Sequence, residues 1–69
     1  MDAKRIRIAL IERGERLVDL HRRTGITYNR LIRVTNNYLD ARPDEIDAIA
    51  KALGLSPAAI HDGDGRSAP

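Results

Sequence analysis

Four or five short α-helices and no strand are what this sequence predicts, on three observations. Apolar residues recur at three- and four-residue spacing, glycine or proline stands at the boundaries of those stretches, and strand-like alternation is missing over any useful length. The chain has 69 residues and no cysteine, so one small all-α domain is expected, with neither disulfides nor a thiolate metal site to reinforce it. A domain of this size buries only about 60% of the surface its unfolded chain exposes. Its core must be thin, and assembly with a partner would help it.

The first helix is expected over residues 2–13, where Ala3, Ile6, Ala9 and Leu10 fall on one face; Gly14 ends it, as glycine commonly does just past a helix. A second, at about residues 16–24, sets Leu17, Leu20 and Thr24 on one side and stops at Gly25. Thr27 is placed to cap a third helix, because its hydroxyl can accept from backbone N–H groups that have no partner in the first turn. That helix runs to about Asn36 with Leu31 and Val34 inward, and residues 36–42 read as a loop. Pro43 suits the first turn of a fourth helix, and Asp44 and Glu45 complement its positive end. Ile46, Ile49, Ala50 and Leu53 form the fourth apolar stripe, Gly54 ends it, and Ser56 with Pro57 opens a last turn reaching about His61. The domain is expected over residues 1–62, with residues 63–69, rich in glycine and small polar side chains, as a disordered tail.

Net charge is +2, and arginine supplies ten of the twelve basic residues. Most of those arginines lie in residues 5–33, whereas residues 40–47 hold four acids against Arg42. Arginine's planar fork suits phosphates and guanine edges, although solvated helix faces explain the composition equally well. No apolar run approaches the ~20 residues of a membrane span, and the N-terminus lacks a signal-peptide core, so a cytoplasmic protein is expected. Catalysis has little support. His21 and His61 have no cysteine partner, Ser56 and Ser67 sit at a cap and in the tail, and Asp62 to Gly65 lacks the spacing and terminal glutamate of a calcium loop. No metal, cofactor or small-molecule substrate is expected.

Two short helices joined by a glycine-containing turn form the helix-turn-helix pattern. With Leu31 inward, Asn29, Arg33 and Asn36 fall within about 40° of the opposite face at 100° per residue. Arg30 takes one flank of this polar stripe; Tyr28 and Ile32 take the other. Asparagine can bond adenine bidentately and arginine guanine, each pair giving about 1–3 kcal/mol of discrimination. The N-terminus of such a helix reaches deepest into the major groove, which favours Thr27, Tyr28 and Asn29 as early contacts. Packing of Tyr28 sideways on the second helix is the competing reading for that residue.

From about Ile6 to Gly63 the chain resembles the lambdoid phage repressor and Cro family, the Xre-type helix-turn-helix domains. The residues that carry the resemblance are Leu20, GITYNRLIRVTNN (25–37), the Arg42-Pro43 step and AIAKALGLSPAAIHDG (48–63). It implies double-stranded operator DNA as partner, bound by a homodimer, with base contacts from Tyr28, Asn29 and Arg33. Backbone or flanking contacts are implied for Arg16, Thr27, Arg30, Asn36, Asn37 and Arg42. The usual dimer surface of the family corresponds to residues 55–60. Leu17 stands where the family usually has glutamine, which puts a second-helix DNA contact in doubt. His21 stands where a small residue is usual, and is expected either to point outward or to widen the helix crossing. Leu10 and Thr35 replace an arginine–glutamate pair, both charges being lost together as the cost of a lone buried charge requires. Ile8, Ile11 and Ile32 fall off the main apolar faces. Isolated surface aliphatics are ordinary; the alternative is that they mark a protein contact, which favours the rival expectation of a protein-interaction module or antitoxin component on the same scaffold.

Overall fold

The computed structural model describes residues 1–60, which form four helices and a final helical turn with no strand. In chain order these are α1 (Ala3–Arg13), α2 (Leu17–Thr24), α3 (Tyr28–Thr35) and α4 (Pro43–Leu53), followed by the turn at residues 57–60. The all-α expectation holds, with the predicted boundaries moved by one residue where a cap replaces a helical position. The expected tail at residues 63–69, and His61 as the end of the last turn, lie outside the described residues.

Every residue assigned inward on α1 and α4 is buried, and Leu20, Leu31, Ile49 and Ile60 are fully enclosed. One continuous cluster joins all four helices to Ala41 and Ile60, with Leu17, Ile26, Leu39 and Leu55 packed on its edge. Replacing one of the enclosed leucines or isoleucines by alanine costs about 2–5 kcal/mol, a large share of what so small a domain has. Ile60 closes the structure from the far end: its carbonyl accepts from the Asp2 N–H at 2.8 Å. The Leu10 and Thr35 exchange is accommodated without charge. Leu10 joins the core, and the buried Thr35 hydroxyl donates to the Leu31 carbonyl of its own helix at 2.8 Å.

Helix ends are fixed by specific side chains. The Asp2 carboxylate accepts from the Arg5 N–H at 3.3 Å and the Thr27 hydroxyl from the Arg30 N–H at 3.3 Å. Arginine has no acceptor, so Arg16 and Arg42 as N-caps are served by half of a capping box: Asp19 accepts from the Arg16 N–H at 2.9 Å and Glu45 from the Arg42 N–H at 2.8 Å. At its C-terminus α3 ends in a Schellman turn, with Tyr38 N–H on the Arg33 carbonyl at 2.8 Å and Asn37 N–H on that of Val34 at 3.1 Å. The residue in the left-handed position is Asn37, at φ 64°, where the other helices use glycine.

Two clusters of charge hold the helices together. Arg23 donates to the Ala52 carbonyl at 3.1 Å and Arg13 to that of Leu53 at 3.3 Å, so arginines from α2 and α1 satisfy the free carbonyls at the end of α4. Glu15 lies between them, 2.8 Å from Arg23 and 3.5 Å from Arg13. The second cluster joins α3 to α4. Arg30 reaches Glu45 with both arms of its fork, Nε at 2.5 Å and Nη2 at 2.9 Å. That hydrogen bond is the main reason the Glu45 carboxyl is held below the ordinary glutamate range; burial opposes it, and the Arg42 N–H adds to it.

Two outcomes test these assignments. Asn37→Val should lower stability by about 1–2 kcal/mol, the cost of forcing a β-branched residue into the left-handed region. Asn37→Gly should stay within about 0.5 kcal/mol; the pair is compared by urea midpoints at constant m value. A carboxyl whose folded pKa is depressed adds stability that is complete above its unfolded pKa and disappears as pH falls through the folded value. The stability gap between wild type and Glu45→Gln should therefore hold constant above about pH 5 and shrink as pH falls below the ordinary glutamate value of about 4.3, as measured by denaturant unfolding at each pH. A gap independent of pH would contradict the assigned ion pair.

Candidate nucleic-acid interface

The turn between α2 and α3 is built from side chains as well as glycine. Gly25 adopts φ 76° and its N–H closes on the His21 carbonyl at 2.9 Å. His21 Nδ1 lies 2.6 Å from the Ile26 carbonyl, which makes that nitrogen the protonated donor. Thr24 braces the same turn: its hydroxyl donates to the Leu20 carbonyl at 2.8 Å and accepts from the Ile26 N–H at 3.2 Å. The expectation that His21 points outward or wedges the helices apart gives way to a third arrangement. Its ring turns along the turn and is half-buried over it. Tyr28 sets its ring edge-on to His21, centroids 6.5 Å apart, while keeping 45% of its surface exposed. Both readings of Tyr28 thus describe part of its position: it leans on α2 and still faces out.

Beyond the turn, α3 divides along its length. Leu31 and Val34 are in the core, Asn29, Arg33 and Asn36 are exposed, and Ile32 is half-buried at the margin. Thr27, Asn29, Arg30 and Arg33 line one shallow concavity together with Leu39. The structure therefore brings together four of the residues singled out from sequence. Thr27 accepts its capping bond through oxygen and keeps its hydroxyl proton to donate outward. The side chains of Asn29, Arg33 and Arg42 have no hydrogen-bond or ion-pair partner among the described residues. Arg16 is likewise exposed and unpaired through its guanidinium, at the entry to α2.

Arg30, expected at the flank, gives two of its donors to Glu45, and its side chain is 31% exposed. Asn37 contributes its backbone conformation to the end of α3 while its side chain is exposed. Sequence reasoning missed Glu45 as a member of this site, although its place three residues after Arg42 was visible as a capping signal. Tyr38 stands just past α3 with 79% of its surface exposed. Leu17, in place of the family's glutamine, is half-buried beside the core. In the segment expected as the family's dimer surface, Ile60 is fully buried in this chain's own core, leaving Ser56, Pro57 and Ala58 as its exposed residues.

Among the described residues, no helix is long and apolar enough to cross a membrane, and no group of histidine, cysteine or acidic side chains is placed to hold a metal ion. None of the curated proteins and none of the solved structures compared with this chain matches it. A family model does, that of the Cro/C1-type HTH DNA-binding domain, over residues 5–61. The match spans most of the chain and takes in both helices of the helix-turn-helix and the polar edge of α3. The chain belongs to the Cro/C1-type helix-turn-helix DNA-binding domains, and double-stranded DNA is its partner.

Proposed function

We propose that this chain is a sequence-specific transcriptional regulator of phage Cro or repressor type, acting in the cytoplasm of a bacterial host. The observation that carries this reading is the pair Asn29 and Arg33. They stand one turn apart on the exposed edge of α3, and neither side chain is used by the fold. With α3 in the major groove, Asn29 and Arg33 are assigned the base edges, and Tyr28, half-exposed at the helix start, joins them. Thr27, Arg16, Asn36, Asn37 and Arg42 are assigned to phosphates around the groove. Two copies on a palindrome would place their recognition helices in half-sites about one helical turn, roughly 34 Å, apart. Such a regulator acts by occupying the operator against RNA polymerase.

A second reading is favoured by one observation, the exposure of Ile8 at 39% and Ile11 at 77% on α1. They give a protein contact, as in an antitoxin that covers its toxin, a surface on α1 where Ile11 shares a groove with Thr35 and Asn36 at the end of α3.

Selection of bound sites from random duplex DNA tests the first reading directly. A palindromic consensus is expected, and failure to bind any duplex at low salt would sink it in favour of the second. On the selected site, Arg33→Ala should relax preference at one base pair by about 1–3 kcal/mol; a uniform loss over all sequences would make Arg33 a phosphate contact instead. Arg42→Ala should weaken binding to every sequence and reduce the slope of log affinity against log salt by about 0.9. An unchanged slope would remove Arg42 from the interface.

A further inference from the structure

The Arg30–Glu45 pair is unusual for its place. Arg30 lies between Asn29 and Arg33 in sequence and lines the same concavity, so a duplex seated on α3 would bring phosphates near its guanidinium. An unpaired arginine there would hold any phosphate, whatever the bases beside it. Glu45 is fixed independently of Arg30, through the Arg42 N–H at 2.8 Å and its position in the first turn of α4, where a carboxylate is stabilised by the helix dipole. Its side chain is 13% exposed against 31% for Arg30. The carboxylate is therefore the anchored partner and the guanidinium is the group that would have to leave. For a phosphate to take Arg30, it must break a two-armed pair and leave a largely buried anion beside more phosphates with only the Arg42 N–H bond and the Arg42 charge to offset it, which is costly.

We propose that Glu45 is a specificity-determining residue, withholding Arg30 from the DNA backbone so that binding depends on the side chains that read bases and on the few phosphate contacts at the helix ends. This rests on α3 being the DNA-reading helix. Glu45 touches no DNA in this scheme; it acts through Arg30. Glutamine at position 45 keeps the capping bond to Arg42, because a glutamine oxygen serves that role as well, but it cannot hold a guanidinium by charge.

The experiment is a salt titration of binding to a random-sequence duplex, with helix content checked by circular dichroism. Glu45→Gln should bind random duplex more tightly, steepen the salt slope by about 0.9, the value for one added phosphate contact, and lose discrimination between the selected site and random DNA. The double variant Glu45→Gln with Arg30→Gln has the same net charge as wild type and should return the slope to the wild-type value. An unchanged slope in folded Glu45→Gln, or a steepening that persists in the double variant, overturns the proposal. Should Glu45→Gln alone not fold, the double variant decides. A slope about 0.9 shallower than wild type would mean that Arg30 already holds a phosphate, and an equal slope supports its being withheld. Wild-type protein that binds no duplex at low salt would instead overturn the DNA-reading role of α3, a separate outcome.

Discussion

Helices of eight and eleven residues are shorter than the ~12–15 at which an isolated helix begins to persist in water. None of the four can supply a stable platform for the others, so each must gain its stability from a shared core and from satisfied ends. The core draws on all four and reaches Ile60 at the close of the described chain. The ends draw on Asp2, Asp19, Thr27 and Glu45 for the N-termini, and on residues of positive φ for the C-termini. In helices this short, a large fraction of the backbone groups are end groups. Polar side chains near the helix ends consequently serve the fold before they serve any partner.

The same constraint governs the arginines. Arg13 and Arg23 are taken up at the carbonyl end of α4, bridged by a Glu15 whose second oxygen, Oε1, is buried without a hydrogen-bond partner among the described residues. Arg30 is taken up by Glu45. Arg16, Arg33 and Arg42 are left exposed around the start of α2, the edge of α3 and the start of α4, and Arg5, Arg7 and Arg22 are exposed on α1 and α2. Basic composition therefore overstates the cationic surface that the fold leaves for DNA. The division between structural and available arginines depends on which carbonyls and carboxylates lie within reach, and that is a property of the folded chain.

Most of the fold was legible because its signals are local. Inward residues follow the helical period, and Gly14, Gly25, Gly54, Thr27 and Pro43 mark ends through their own backbone or side-chain chemistry. The polar edge of α3 was legible for the same reason, since wheel geometry relates Asn29 and Arg33 to Leu31 within a single helix. What escaped sequence reasoning depends on contacts between distant residues or on competing local uses. Arg30 meets a carboxylate fifteen residues away, and Arg13 a carbonyl forty residues away. Asn37 looked like an available amide, yet the end of α3 needed a left-handed residue and no glycine follows it. His21 was weighed only by size, whereas its ring nitrogen gave the turn a hydrogen bond that an alanine cannot.

On α3 itself, two turns of helix carry both the centre of the core and an exposed polar edge, separated by angle alone. Leu31, Val34 and Thr35 are buried, and Thr35 bonds back to its own helix, so these positions are closed to variation for recognition. Thr27 is committed to the cap and Arg30 to α4. Tyr28, Asn29 and Arg33 remain as side chains whose replacement leaves the core and the caps untouched, Tyr28 subject to its contact with His21. On the proposed assignment, a change of DNA preference that preserves the fold acts mainly through Asn29 and Arg33. A change at position 30 or 45 instead alters how the edge of α3 is held against α4.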